Sequence, residues 1–240
     1  MLADEASRLA DEFLHVCIRA IDYCPPMDVR FGEYLRAIIT ADRMLNHDDR
    51  FGIRDALIKE FRRRSIDLGR VRDLSDYSLE WNFPSRKEGL YIRGLAWSQL
   101  RFRNDGVTPL GVAEIERQDK ALGDFLLHEI GKDELAEFGL QPPGLAFGPV
   151  TVESLRCVTR RSRDGRVTHG MVAEVSQQCA TSHGATIGGS TIILEEDGRV
   201  QFAIKKRVGN RAREHSRADY LKRTGRSELI SFKALHSSSL

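Results

Sequence analysis

The tetrapeptide Asp-Gly-Arg-Val occurs twice in the last third of the chain, each time between segments in which apolar and polar residues alternate. The two copies begin at Asp164 and Asp197. An Asp-Gly pair in this setting indicates a β-hairpin closed by a type I′ turn, in which both central residues have positive φ. Two such hairpins predict a four-stranded antiparallel sheet. The alternating residues are Val150, Val152, Leu155, Cys157 and Val158; Val167, His169, Met171, Ala173 and Val175; Thr191 to Glu195; and Val200, Phe202 and Ile204.

The first third of the chain has the spacing of three amphipathic helices, with apolar residues at three- and four-residue steps. Pro25-Pro26 ends the first helix, because proline lacks the N–H group and disfavours helix in the preceding residue. Asp28 is predicted to cap the second helix, and Asp48 or Asp49 the third. The predicted apolar stripes are Ala6, Leu9, Ala10, Phe13, Leu14, Cys17, Ile18, Ala20, Ile21 and Cys24; Phe31, Tyr34, Leu35, Ile38, Ile39 and Leu45; and Ile53, Ala56, Leu57 and Phe61.

This helical third resembles the C-terminal helical subdomain of thermolysin-type zinc metallopeptidases (gluzincins). It is also similar to the latter part of large bacterial proteins with a peptidase-like N-terminal half. The shared pattern is a long helix, a proline-containing break, a helix of the form aromatic-x-x-hydrophobic-Arg-Ala-x-x-x-Ala-Asp, and a last helix with an Ala-Phe-like core pair. Ser65 stands where this pattern usually has glycine. The matching residues are Phe31, Leu35, Arg36, Ala37, Ala41 and Asp42, then Ala56, Phe61, Arg64 and Ile66.

The chain lacks the motif on which gluzincin catalysis depends. Zinc in these enzymes is bound by His-Glu-x-x-His, whose Glu is the general base. The nearest match is His128-Glu129-Ile130-Gly131-Lys132, in which lysine occupies the second ligand position. The resemblance therefore implies a noncatalytic fragment or split half, without a metal, cofactor or catalytic residue of its own, that acts in packing or protein contact. Its expected partner is a separately encoded catalytic half or a second copy.

Charge and cysteine usage narrow the class of protein. The 37 Lys and Arg residues nearly balance the 35 Asp and Glu, for a net charge of +2, so the total does not point to nucleic acid or an anionic membrane. The four cysteines form no Cys-x-x-Cys pair, which favours reduced thiols. No run approaches the ~20 apolar residues of a membrane-spanning helix, and the first residues do not look like a signal peptide. We expect a soluble, cytoplasmic protein.

The predicted fold class is α+β, with an N-terminal helical bundle, then the four-stranded antiparallel sheet, then a basic helix over about residues 211–223. The region before the sheet is expected to be a mainly helical connector. Its clearest helix runs from about Val112 to Ile130, with a short continuation through Leu135 and Phe138, before Pro142-Pro143-Gly144. The predicted division is 1–68, helical subdomain; 69–147, connector; 148–226, sheet and helix; and 227–240, flexible tail.

Two segments leave other functions open. Residues 179–189 combine cysteine, serine, histidine and glycine, which would suit a hydrolase, although we expect a flexible loop between the hairpins. The basic residues near the C-terminus are typical of a solvated face, but they could also form a nucleic-acid-binding module with steep salt dependence. The candidate basic surface consists of Lys205, Lys206, Arg207, Arg211, Arg213, Arg217, Lys222 and Arg223.

Overall fold

The fold is α+β, as predicted: helices come first, a four-stranded antiparallel sheet follows, and a short helix is the last described element. We analysed a computed structural model. It describes residues 2–46, 48–49, 51–69, 71–82, 89–101, 111–161, 165, 167–181 and 184–224. The expected tail 227–240 lies outside these ranges. The helices are α1 (Leu2–Ala20), α2 (Phe31–Leu45), α3 (Ile53–Arg63), α4 (Asp76–Leu79), α5 (Val112–Asp124), α6 (Lys132–Glu137) and α7 (Arg211–Thr224).

Short segments complete the helical part of the chain. A π-helical turn (Phe125–Glu129) extends α5, so the predicted helix over 112–130 is confirmed with a change of helix type near its end. Within the described ranges, 3-10 turns lie at Ile21–Tyr23, Arg93–Leu95 and Trp97–Gln99. None of the helices in the described part of the chain combines the length and apolar character of a membrane span.

The sheet has the simple order β1-β2-β3-β4, with every neighbouring pair antiparallel. β2 and β3 stay paired from Met171 opposite Leu194 to Thr181 opposite Gly184. The prediction of a flexible loop over 179–189 is therefore wrong, because the main chain of most of this segment belongs to the sheet. Ser182 and His183 lie outside the described residues. The strands are β1 (Phe147–Arg161), β2 (Val167–Thr181), β3 (Gly184–Leu194) and β4 (Val200–Lys206).

The turn between β3 and β4 differs from the predicted type I′. Gly198 has a φ of +84°, but Asp197 has a negative φ. Glu195 accepts a hydrogen bond from the Gly198 N–H (3.0 Å) and donates its own N–H to the Arg199 carbonyl (2.9 Å). These bonds define a type I turn followed by a glycine bulge. The longer loop confines the positive φ to glycine, the residue that adopts it at least cost. Asp164, in the other hairpin, lies outside the described residues.

Helices cover both faces of the sheet. Side chains alternate along a strand, so neighbouring residues enter different clusters. One face packs against α1 and α2, with Val16, Ala20, Tyr23, Ala37, Ile38 and Ala41 against Val172, Ile193, Phe202 and Ile204. The other face packs against α5, α6 and the 3-10 turns Arg93–Leu95 and Trp97–Gln99, with Leu95, Leu122, Phe125, Leu126, Leu135 and Phe138 against Met171, Ala173, Val175, Ile192 and Leu194.

α1, the 3-10 turn after it and α2 belong to the same hydrophobic cluster as one face of the sheet. A further hydrophobic cluster joins α2, α3 and α4. The latter consists of Leu35, Ile39, Ile58, Leu68 and Leu79. The division of the chain at residues 68, 147 and 226 stays a prediction.

The buried face of α1 is narrower than predicted. The helix packs through Val16 and Ala20, whereas Leu14, Ile18 and Ile21 are 56%, 58% and 63% exposed. These three residues follow steps of four and three, so they form one apolar row that runs along the outer side of α1 and into the 3-10 turn after it. Phe31 in α2 and Ala56 in α3, also predicted to be buried, are exposed as well.

The helix caps differ from the predicted ones. The N-cap residue of α3 is Gly52 rather than Asp48 or Asp49, although the Asp49 carboxylate does accept the N–H groups of Ile53 (2.7 Å) and Arg54 (3.0 Å) at the start of the helix. Asp28 does not cap α2, because the helix begins at Phe31 and Asp28 has a φ of +49°. Glu33 instead reaches back to accept the Arg30 N–H at 2.9 Å.

Replacing Ser65 with glycine should stabilise the protein by about 1 kcal/mol, because a left-handed residue with a Cβ is strained. Ser65 has a φ of +52°. Its N–H bonds to the Arg62 carbonyl, and the Ile66 N–H bonds to the Phe61 carbonyl, the pair of bonds that defines a Schellman motif. Urea denaturation of Ser65→Gly measures the change. Ser216→Gly, inside α7, is the control and should destabilise. A Ser65→Gly variant weaker than wild type would contradict the argument.

A basic cleft as the candidate functional site

An open cleft of about 780 Å³ runs beside β4, where α2, α6 and the start of α7 meet the sheet. Its walls carry an excess of positive charge, with six cationic side chains and two acidic ones. The cations are Arg30, Arg36, Lys205, Lys206, Arg207 and Arg213, and the acids are Glu33 and Glu137.

Lys206 lies at the base of the cleft and is only 6% exposed. Its Nζ lies 2.6 Å from a carboxylate oxygen of Glu33 and donates to the Asp28 carbonyl at 2.9 Å. Burial lowers the pKa of Lys206, and the charges of Arg213 and Arg30 lower it further, although Glu33 opposes the change. Glu33 thus already acts as an internal anion in this cleft.

Arg213 attaches the start of α7 to the rest of the molecule. Its guanidinium donates to the carbonyls of Ile187 in β3 and Arg207, and it lies 3.1 Å from the Asp28 carboxylate. These contacts fix the end wall of the cleft. Arg213 is therefore a structural residue as well as a source of positive charge.

Arg36 forms the α2 wall together with Trp81. The guanidinium lies 3.8 Å from the centre of the indole ring and donates to the carbonyls of Leu79 (3.0 Å) and Glu80 (3.2 Å). Burial lowers the pKa of Arg36 to about 10 despite the nearby charge of Glu33. The guanidinium is thus short of compensating negative charge, which an incoming anion would supply.

The other three cations of the cleft, Arg30, Arg207 and Lys205, have less negative charge near them than Lys206 and Arg213 have. Within the described ranges, Arg30 and Arg207 form no ion pair with an acidic side chain. Lys205 donates a long bond of 3.4 Å to the Ala136 carbonyl in α6. Burial lowers the pKa of Lys205, and the charge of Arg207 lowers it further, against the opposing effect of Glu137. Like charges therefore lie close together along this side of the cleft.

The predicted basic surface separates into two groups. Lys205, Lys206, Arg207 and Arg213 line the cleft, whereas Arg211, Lys222 and Arg223 lie exposed along α7. Arg217 lies in α7, and its side chain is outside the described part.

Sequence reasoning missed Arg30 and Arg36. Both residues belong to the α2 region, more than 160 positions before the β4 cations. No local signal connects the two regions of the sequence.

The other candidate residues have structural surroundings. Cys179 is buried, and burial raises the pKa of its thiol, which disfavours the reactive thiolate. His169 stacks on Trp97 with 4.2 Å between ring centres. His128 and Glu129 are exposed in the π-helical turn. Among the residues with described positions, no three His, Cys, Asp or Glu side chains form a group able to hold a metal ion.

Comparison with known proteins found no related protein. No protein-family model, curated protein or solved structure matches this chain. The resemblance to gluzincin helical subdomains stays a prediction.

Proposed function

We propose that this protein is a noncatalytic binding protein that contacts an acidic partner through the basic cleft. The observation that carries the proposal is the set of six cations against three carboxylates, those of Glu33 and Glu137 in the lining and that of Asp28 beside Arg213, in a chain whose net charge is only +2. Concentrated positive charge in a concave site raises the local concentration of anions and favours a partner of opposite charge.

The proposal includes the relationship to gluzincin-type proteins, with this chain as the C-terminal part and a separately encoded catalytic half or a second copy as candidate partners. The exposed apolar row of Leu14 and Ile18 on α1 and Ile21 in the following 3-10 turn supports contact with another protein surface. Protein contact also agrees with the anchored cations of the cleft, which are held by main-chain carbonyls and are already oriented for a partner.

The test is retention on immobilised heparin, a general polyanion. We expect an Arg30→Gln/Arg207→Gln variant to elute at lower salt than wild type, because both cations line the cleft and neither forms an ion pair with an acid among the described residues. The matched control is Arg62→Gln/Arg93→Gln, which removes the same charge from exposed positions outside the cleft. Equal elution of the two double variants would contradict the proposal.

A further inference from the structure

The cations of the basic cleft differ in whether a carboxylate already neutralises them. Lys206 is paired with Glu33 and Arg213 with Asp28, at nitrogen–oxygen distances of 2.6 Å and 3.1 Å. Each of these pairs uses one carboxylate for one cation. Three arginines that line the cleft form no ion pair with an acidic side chain of the described chain: Arg30, Arg36 and Arg207. An acidic segment of a partner would therefore meet three arginines that have no counter-ion within the described ranges.

Arg36 differs from the other two because its guanidinium is held in one orientation. Its Nε donates to the Leu79 carbonyl (3.0 Å) and its Nη2 to the Glu80 carbonyl (3.2 Å). The group also lies over the Trp81 ring, 3.8 Å from the ring centre. Arg30 and Arg207, by contrast, are exposed side chains. A side chain that is already oriented loses less conformational entropy on binding, so Arg36 is the best placed of the three to form bonds of defined geometry.

The ring that supports Arg36 is itself held by hydrogen bonds. The Trp81 indole N–H donates to the Tyr23 carbonyl (2.9 Å), and the Trp81 main-chain N–H donates to the Thr40 hydroxyl (3.0 Å). The Thr40 hydroxyl in turn donates to the Arg36 carbonyl one turn earlier in α2 (2.9 Å). The orientation of the guanidinium is therefore fixed by the packing of α2 against Trp81 and Tyr23.

The two carbonyl bonds leave one edge of the Arg36 guanidinium available. An arginine side chain carries five N–H donors in a rigid plane. The bonds to Leu79 and Glu80 use the side edge, which consists of the Nε–H and one N–H of Nη2. The end edge keeps both N–H groups of Nη1 and the second N–H of Nη2, and Nη1 donates to no atom of the described chain. Two parallel N–H groups on one edge match the two oxygens of a carboxylate.

Resting on the proposed function, we propose that Arg36 is the specificity-determining residue of the basic cleft and binds one Asp or Glu carboxylate of the partner protein through two parallel hydrogen bonds from its end edge. Arg30 and Arg207 attract further carboxylates of the same segment by charge alone. Arg36 is partly buried, and opposite charges attract more strongly in a partly buried site than in water. The contact at Arg36 therefore contributes more to affinity than a contact at either exposed arginine.

The same surroundings disfavour nucleic acid as the occupant. Single-stranded nucleic acid is bound by stacking of successive bases on aromatic side chains. Trp81 is the only aromatic side chain among the described lining residues, and Arg36 covers one face of its ring. A carboxylate also repeats the chemistry with which Glu33 and Asp28 already neutralise two cations of this cleft.

The experiment measures the fluorescence anisotropy of a fluorescein-labelled peptide with the full-length protein. The peptide carries three Glu residues separated by neutral residues, and three further peptides each have one Glu replaced with Gln. With wild-type protein, one replacement should weaken binding by at least about tenfold and the other two by less, because one carboxylate alone makes two oriented bonds.

Arg36→Lys keeps the positive charge but loses the edge with two parallel donors. With this variant, the three Glu→Gln replacements should weaken binding to a similar extent. The matched control Arg62→Lys lies outside the cleft and should keep the wild-type difference. A general loosening of the fold would weaken binding of all four peptides alike, so it would not remove the difference between the replacements.

Several results would overturn the inference. They are absence of binding of the Glu peptide at low salt, equal losses for the three replacements with wild-type protein, and a difference that persists in Arg36→Lys. Tighter binding of a labelled deoxythymidine decamer than of the Glu peptide would assign the cleft to nucleic acid. If the heparin result holds while the peptides fail, only the role of Arg36 is wrong. If Arg30→Gln/Arg207→Gln leaves heparin elution unchanged, the proposed function itself fails.

Discussion

Replacing Arg54 with alanine should destabilise the protein by about 3–5 kcal/mol, the cost of leaving a buried charge without its partner. Arg54 is 3% exposed, and its Nε lies 2.6 Å from the Asp42 carboxylate. Its other nitrogens donate to Asp76 (3.1 Å) and to the Asn46 carbonyl. The substitution would leave Asp42 buried without its counter-ion and would loosen the contact of α3 with α2 and α4.

Urea denaturation of Arg54→Ala measures this loss, and Arg62→Ala is the control because Arg62 lies exposed on the same helix. We expect the control to change the free energy of unfolding by less than about 0.5 kcal/mol. An Arg54→Met/Asp42→Leu variant should recover much of the loss, since apolar residues can replace a buried ion pair. A loss below about 1 kcal/mol for Arg54→Ala would show that water already reaches the pair.

The same ion network positions one wall of the cleft. Arg43 lies 2.9 Å from Asp76 and 2.8 Å from Glu80, so it joins α2 to both ends of α4. Trp81 comes directly after Glu80, the C-cap residue of α4, and its indole N–H donates to the Tyr23 carbonyl at 2.9 Å. Loss of Arg54 should therefore also weaken binding at the cleft, through displacement of Trp81.

Replacing Gly189 with alanine should destabilise the protein by about 3 kcal/mol or more, because a well-packed sheet has no room for the added atom. A Cβ at this position would overlap the Val175 carbonyl oxygen on β2 and would also lie 3.0 Å from the Ser176 Cα. Both groups are main chain, so relief requires the two central strands to move apart. Main-chain hydrogen bonds between β2 and β3 around Gly189 would be lost as well.

Gly148→Ala in β1 is the matched control for this substitution. A Cβ there would meet its nearest atoms at 3.7 Å and 3.8 Å, an ordinary van der Waals distance. We expect thermal unfolding to show a clear fall in melting temperature for Gly189→Ala and little change for Gly148→Ala. Similar melting temperatures for the two variants would mean that β2 and β3 separate easily at this point.

The local patterns of the sequence predicted the elements well. The change from helical spacing to alternation places the sheet after residue 147, and the repeated Asp-Gly pairs fall between β1 and β2 and between β3 and β4. Period and turn residues are local properties, because they follow from φ and ψ preferences and from which side of one element is apolar. The order of helices, sheet and final helix could therefore be predicted from the sequence alone.

Two predictions, a flexible loop over residues 179–189 and a buried outer face of α1, were wrong for the same reason. Gly188 and Gly189 have the composition of a loop, yet they lie in β3, where the close approach of Val208 and Val175 excludes a side chain. Leu14 and Ile18 have the spacing of a buried stripe, yet α1 meets the sheet through Val16 and Ala20. Neither the neighbouring strand nor the angle of helix packing is encoded by the local pattern.

The amino-acid sequence by itself determined the α+β class, the antiparallel hairpins and the cationic residues of β4. Only the tertiary structure decided that Arg30 and Arg36 of the α2 region join Lys205 and Lys206 in one cleft beside β4. These residues are brought together by the packing of α2 on the sheet. Such long-range contacts depend on the packing of the whole chain. The spacing of residues within either segment does not predict them.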